Sequence, residues 1–183
     1  YVGIHGAEVS GNRFDSMGND IATTPIESHA SGQIIKDNYA IGYRNSMYLV
    51  NDPLDTLSSS YQDVVVRDNK FINTAKGICF WNTFAGRDIK NIKVFNNTVR
   101  LNSHLSTNKF IYPVQFGIGT LYGGWENTKF EDIKINDNDV EFILNAEDTA
   151  NDSTVSHGVQ LNNFLGGKGY YARNIEIKKN TVK

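Results

Sequence analysis

The stretch NIKVFNNTV, Asn91–Val99, sets apolar Ile92 and Val94 at alternate positions, then a polar turn through Asn97, then apolar Val99. Five further copies follow the same line: GAEVSGNRF from Gly6, GQIIKDNYA from Gly32, DVVVRDNKF from Asp63, DIKINDNDV from Asp132 and NIEIKKNTV from Asn174. Each carries asparagine in seventh place: Asn12, Asn38, Asn69, Asn97, Asn138 and Asn180. A motif returning at intervals of 26, 31, 28, 41 and 42 residues specifies stacked structural units, the two long intervals holding insertions.

The alternation in Ile92–Val94 or Ile133–Ile135 is the period-2 mark of a strand with one buried face. The asparagine then sits in a turn, and the apolar residue two places on (Phe14, Phe71, Val99, Val140, Val182) begins a second strand. An amide offers both donor and acceptor. Repeated at one turn of every unit, it can bond the turn backbone and its own copy in the next unit, which predicts an internal asparagine ladder. These asparagines are structural and not site candidates.

A third strand is expected ahead of each motif, in VGIHG (Val2–Gly6), NDIAT (Asn19–Thr23), SMYLV (Ser46–Val50), GICFW (Gly77–Trp81), VQFGI (Val114–Ile118) and GVQLN (Gly158–Asn162). Three short strands per unit, too far apart in sequence for hairpins, give an all-β solenoid with parallel sheets. On these residues the chain resembles the right-handed single-stranded parallel β-helix of the pectate-lyase-like superfamily, over nearly all of residues 1–183. About six coils and one domain are expected. The resemblance is specific for fold and weak for activity, because one such fold hosts many functions.

Composition bounds the partners. No apolar run approaches the roughly 18 residues of a membrane-spanning helix, so no membrane span is expected. The formal net charge is −2 with cations scattered along the strands, which argues against nucleic acid. Cys79 is the one cysteine, so no intrachain disulfide or paired-cysteine metal motif is available, and no cofactor is implied. Tyr1 and Val2 already read as strand and Lys183 follows directly on the sixth motif, with neither polar caps nor a signal peptide in view; the expectation is an excised part of a longer chain.

In the family the chain resembles, polysaccharide commonly lies along the outer face of the strand that precedes the asparagine motif. If Ile4, Ile21, Met47, Ile78, Phe116 and Val159 point inward, alternation turns His5, Asp20, Tyr48, Trp81, Gln115 and Gln160 outward, with Asn51, Asn82 and Asn162 near the strand ends. Aromatic rings stack on pyranose faces while amides pair with hydroxyls. The substrate-binding candidates are therefore His5, Tyr48, Trp81, Gln115, Tyr122, Trp125 and Gln160. Glycoside hydrolysis needs two carboxyl groups about 5 to 9.5 Å apart. Asp20, Asp52 in LVNDP, and Glu27 with His29 in the TTPIESHAS segment, expected to be a loop, are the candidate catalytic set. Lyase chemistry would draw on His5, Tyr48, Arg44 or Arg87 as base or counter-charge. No aspartate cluster suggests a metal site, and His157 in SHG lacks the paired aspartates of a polygalacturonase; His104 and His157 read as surface residues. Two functions are thus carried forward. One is a carbohydrate-active enzyme, a glycoside hydrolase or polysaccharide lyase, acting on an extracellular or cell-surface polysaccharide. The other is a noncatalytic shaft or receptor-binding domain on a virion surface, resembling phage tailspikes and, as that resemblance implies, a homotrimer.

Overall fold

A computed structural model describes residues 1–18, 23–51, 59–82, 87–102, 114–123, 128–143, 154–160 and 171–183, with backbone alone for 82, 114–123, 154–158, 160 and 171. The strands in chain order are β1 (Glu8–Ser10), β2 (Arg13–Asp15), β3 (Ile26–Ser28), β4 (Ile34–Lys36), β5 (Tyr39–Ile41), β6 (Asn45–Asn51), β7 (Ser60–Arg67), β8 (Lys70–Thr74), β9 (Lys76–Asn82), β10 (Asp88–Phe95), β11 (Thr98–Asn102), β12 (Val114–Gly123), β13 (Lys129–Asn136), β14 (Asp139–Ile143), β15 (Thr154–Gln160), β16 (Tyr171–Arg173), β17 (Glu176–Lys178) and β18 (Thr181–Val182). They sort into three sheets: β1-β4-β7-β10-β13-β16 with β17 also on β13, β2-β5-β8-β11-β14-β18, and β3-β6-β9-β12-β15. Every named strand pair is parallel, for example Ile92 with Ile133 and Val99 with Val140. From β1 through β15 the chain visits the sheets in turn and each strand pairs with the one three places on, the path a β-helix requires.

The repeated nine-residue line owes its spelling to two left-handed corners. Its first residue has positive φ in all six copies: Gly6 (69°), Gly32 (76°), Asp63 (60°), Asn91 (47°), Asp132 (56°) and Asn174 (54°). So does its sixth: Gly11 (66°), Asp37 (56°), Asp68 (56°), Asn96 (55°), Asp137 (55°) and Lys179 (54°). Glycine, aspartate and asparagine enter this region at least cost, which is why those three types fill eleven of these twelve positions. The four residues between the corners carry strand, and the ladder asparagine follows the second corner.

The ladder forms as expected. Each asparagine Nδ2 donates to the next Oδ1, at 3.0 Å from Asn12 to Asn38, 3.0 Å to Asn69, 2.9 Å to Asn97, 3.0 Å to Asn138 and 2.9 Å to Asn180. The same Oδ1 atoms also accept the backbone N–H of the preceding asparagine, as Asn138 Oδ1 does from Asn97 at 3.0 Å. The other Nδ2 proton closes on a carbonyl inside the stack, Val66 for Asn97. Asn38, Asn69, Asn97 and Asn138 are buried, so the ladder satisfies backbone groups that water does not reach.

Between the sheets lies one apolar core, with Ile92, Val94, Ile133, Ile135, Phe71, Val99 and Phe80 all inaccessible. Alternation in NIEIKKNTV points Ile175 and Ile177 inward like Ile133 and Ile135, yet Ile177, paired with Ile135, is 46 % exposed and Ile175 is only half-buried, since no described residue stacks beyond them.

One of the expected third strands is corrected, and a second lies almost wholly outside the described residues. In VGIHG only Val2 makes a bridge, to Ser28; His5 lies in a turn, and Ile4 is 71 % exposed instead of inward. Residues 19–22 of NDIAT, with Ile21, lie outside the described residues. The strand of that unit is Ile26–Ser28, within the segment expected to be a loop. Ile26 stacks on Met47 and supplies the interior residue, which is the physical reason the strand forms there.

Outward faces carry ion pairs. Arg100 spans Asp139 and Glu141, its Nε lying 2.7 Å from Glu141 Oε2. The Arg100 hydrogen bond, aided by the Arg100 and Lys183 charges, holds the Asp139 carboxyl below its ordinary value. A lowered folded-state value gives stability that is present above the unfolded pKa and lost as pH falls through the folded one. Urea midpoints should therefore drop between neutral pH and pH about 3, and Asp139→Asn should show a smaller drop. The difference should be small and shrink in salt, because the pair is partly exposed.

Candidate functional site

The third sheet, β3-β6-β9-β12-β15, has an interior and an exterior set. Met47, Leu49, Ile78 and Phe80 belong to the core. Between them in sequence, Tyr48, Val50 and Cys79 form a second apolar cluster on the opposite face. GICFW, apolar at both parities, is thus explained: Ile78 and Phe80 fill the core, Cys79 fills the outer cluster, and Trp81 at 36 % exposure reaches solvent.

Tyr48 and Trp81 come together as ring neighbours, with centroids 5.2 Å apart and planes tilted by 60°. They are not in one register column. Tyr48 pairs with Glu27 and Cys79, whereas Trp81 pairs with Val50 and Tyr122. The ring contact is therefore diagonal, across β6 and β9, and the tilt is a geometry aromatic quadrupoles favour. Tyr48 itself is only 8 % exposed, so the face it offers is small and Trp81 supplies the accessible ring.

Glu27 stands outward on β3 next to Tyr48, and its Oε2 lies 3.3 Å from His29 Nε2. The His29 ring in turn lies 4.0 Å from that of Tyr1. An acid, an imidazole and two aromatics thus line one end of the sheet. His5, in its turn, belongs to no strand of this sheet. Gln115 pairs with Val155 and Gln160 with Gly119, which places Gln160, but not Gln115, in the column of Glu27, Tyr48 and Cys79. Asn51 is buried and donates to the Arg87 carbonyl at 2.8 Å, so it holds the chain's entry toward β10 and does not face a ligand. Asp20, Asp52, Trp125 and Asn162 lie outside the described residues; of Tyr122, Gln115, Gln160 and Asn82 the backbone alone is described.

Burial pushes the Cys79 thiol up to about 12, and its Sγ donates to the Gly77 carbonyl at 3.4 Å. It is a packed neutral thiol and no nucleophile. Burial also lowers the Lys76 ammonium below its ordinary value, and the Arg44 charge acts in the same direction. Among the described residues no group of three or more His, Cys, Asp or Glu side chains could hold a metal ion. Nor is any helix among them long and apolar enough to cross a membrane. Sequence reasoning missed the polar knot beneath β3, where Ser28 Oγ meets both Gln33 Oε1 and Tyr61 OH and Gln33 Nε2 donates to the carbonyls of Val2 and Ile4. These groups satisfy one another and are structural. No protein-family model, curated protein or solved structure matches the chain.

Proposed function

We propose that the chain is a right-handed parallel β-helix of about six coils, of the pectate-lyase-like kind, that binds an extracellular or cell-surface polysaccharide along the outer face of its third sheet. The right hand follows from the near-universal preference of parallel crossovers. The observation that supports binding is the Tyr48–Trp81 pair, a solvent-reaching indole on an apolar footing with a carboxylate two strands away. A sugar ring stacks on the indole, and Glu27 with the amides farther along the sheet takes its hydroxyls. Trp81→Ala should weaken binding about fivefold, near 1 kcal/mol for one stacked ring, while the protein still folds. Unchanged affinity in a folded variant removes the site.

In the enzyme reading, Glu27 serves as one carboxyl group and Asp20 or Asp52 as its partner. Glu27→Gln or Asp20→Asn should then spare binding and abolish new reducing ends or unsaturated products, because an amide keeps the shape and cannot transfer the proton. The noncatalytic reading is a shaft or receptor-binding domain that trimerises on a virion surface, in which Glu27, 3.3 Å from His29, serves only to hold a sugar hydroxyl. A wild-type protein that retains glycan and never yields product supports this second reading.

A further inference from the structure

We propose that Tyr1 is a second stacking platform for sugar, so that the outer face of the third sheet selects an oligosaccharide of four or more units over a single sugar or a pair. The inference deepens the polysaccharide reading and rests on it. Val2 joins the sheet through a parallel bridge to Ser28. Its N–H donates to the Glu27 carbonyl at 2.7 Å and its carbonyl accepts the His29 N–H at 2.9 Å. That register sets Tyr1 beside Glu27 on the outward parity, since Ile26 and Ser28 are the buried residues of β3. The outer column therefore runs Tyr1, Glu27, Tyr48, Cys79.

The Tyr1 ring is both held and open. It lies over the His29 ring, with centroids 4.0 Å apart and planes 31° from parallel, and His29 is itself buried. Gly3 leaves room for it, because a Cβ there would come within 2.9 Å of Tyr1 Cε1. Tyr1 is nevertheless 73 % exposed. A ring supported from beneath with most of its surface in water is what stacking on a pyranose uses. Trp81, the accessible ring of the Tyr48 pair, stands three strands away on β9 and two residues beyond Cys79. At about 4.8 Å per strand and 3.3 Å per residue, the two platforms are roughly 15 Å apart. Sugar units built of bonds near 1.5 Å advance a chain by roughly 5 Å each, so two units reach only one ring and four reach both. Glu27 lies between the platforms, beside Tyr48, where its carboxylate accepts a hydroxyl from the middle of such a chain.

The test uses oligosaccharides of two and six units, cut from a polysaccharide that folded wild-type protein retains from a glycan panel. Hexasaccharide affinity is measured by titration calorimetry, and disaccharide affinity by tryptophan fluorescence. Tyr1→Ala should bind the hexasaccharide about fivefold more weakly, the loss of one stacked ring, and the disaccharide as wild type does. Tyr1→Phe keeps the ring and should match wild type at both lengths. A merely structural role for Tyr1, acting through His29 and Glu27, would instead weaken both lengths alike. If no panel polysaccharide is retained, or folded Trp81→Ala binds the hexasaccharide as tightly as wild type, the polysaccharide reading fails and the second platform with it. If Trp81→Ala weakens hexasaccharide binding while Tyr1→Ala leaves it unchanged, or Tyr1→Ala weakens both lengths equally, the second platform alone is overturned.

Discussion

Asn97→Ala is expected to be among the most damaging single substitutions in the chain, with a loss of roughly 3 kcal/mol or more. The Asn97 side chain accepts two hydrogen bonds, from the Asn69 backbone N–H at 3.1 Å and from Asn69 Nδ2 at 2.9 Å. Its two Nδ2 protons are shared among three acceptors, the carbonyls of Val66 and Phe95 and Asn138 Oδ1, each at 3.0 Å. Asn97 is 1 % exposed, so water does not replace these partners. Each buried group left unsatisfied costs about 1 to 3 kcal/mol, and at least two, the Asn69 N–H and the Val66 carbonyl, would be stranded. Asn12→Ala removes the same chemistry at an exposed end of the ladder, where Asn12 bonds Asn38 and the Ser10 carbonyl, and should cost well under half as much. Urea denaturation of the two variants checks the difference, and equal losses would mean the ladder does not carry the stability assigned to it.

Ile135→Ala should cost roughly 2 to 5 kcal/mol, because a fully buried side chain is replaced by a cavity between stacked neighbours. Ile135 lies in register between Val94 and Ile177, so the loss is felt on both sides. The neighbouring Lys134 is exposed and points the other way, and Lys134→Ala should stay within about 0.5 kcal/mol. Similar losses at both positions would put the strand on the opposite parity.

The asparagine ladder and the strands beside it were legible because one physical demand recurs at one place in every unit: a buried turn needs an amide, and the strand before it needs alternate apolar residues. The same lines also spelled out the two corners. The first and sixth letters are Gly, Asp or Asn at Gly6, Asp63, Asn91, Asp137 and their equivalents because those corners take positive φ; only Lys179 departs from the set. The third sheet was read less well, since it has no such marker. Its strands vary in length and their registers shift, as between Thr120 and Tyr122, so counting outward residues from one apolar position slipped. Tyr48 was thereby put in line with Trp81 when its register partner is Cys79. Ile26–Ser28 was read as loop because a three-residue strand with a proline just before it shows almost no period. What made the strand was tertiary, the fit of Ile26 beside Met47. Tyr48 and Trp81 were legible as aromatics on the outer parity, but their contact and the near-complete burial of Tyr48 depend on packing across strands that alternation does not encode.

Hydroxyl-radical footprinting of Trp81, in the presence and absence of a polysaccharide that the folded protein retains from a glycan panel, is the most direct measurement of where that ligand sits. Trp81 should be protected from oxidation when the glycan is bound, while Met17, 86 % exposed and outside the strands of the third sheet, should oxidise at an unchanged rate. Unchanged Trp81 oxidation with the glycan bound, or protection confined to the first or second sheet, contradicts polysaccharide binding on the outer face of the third.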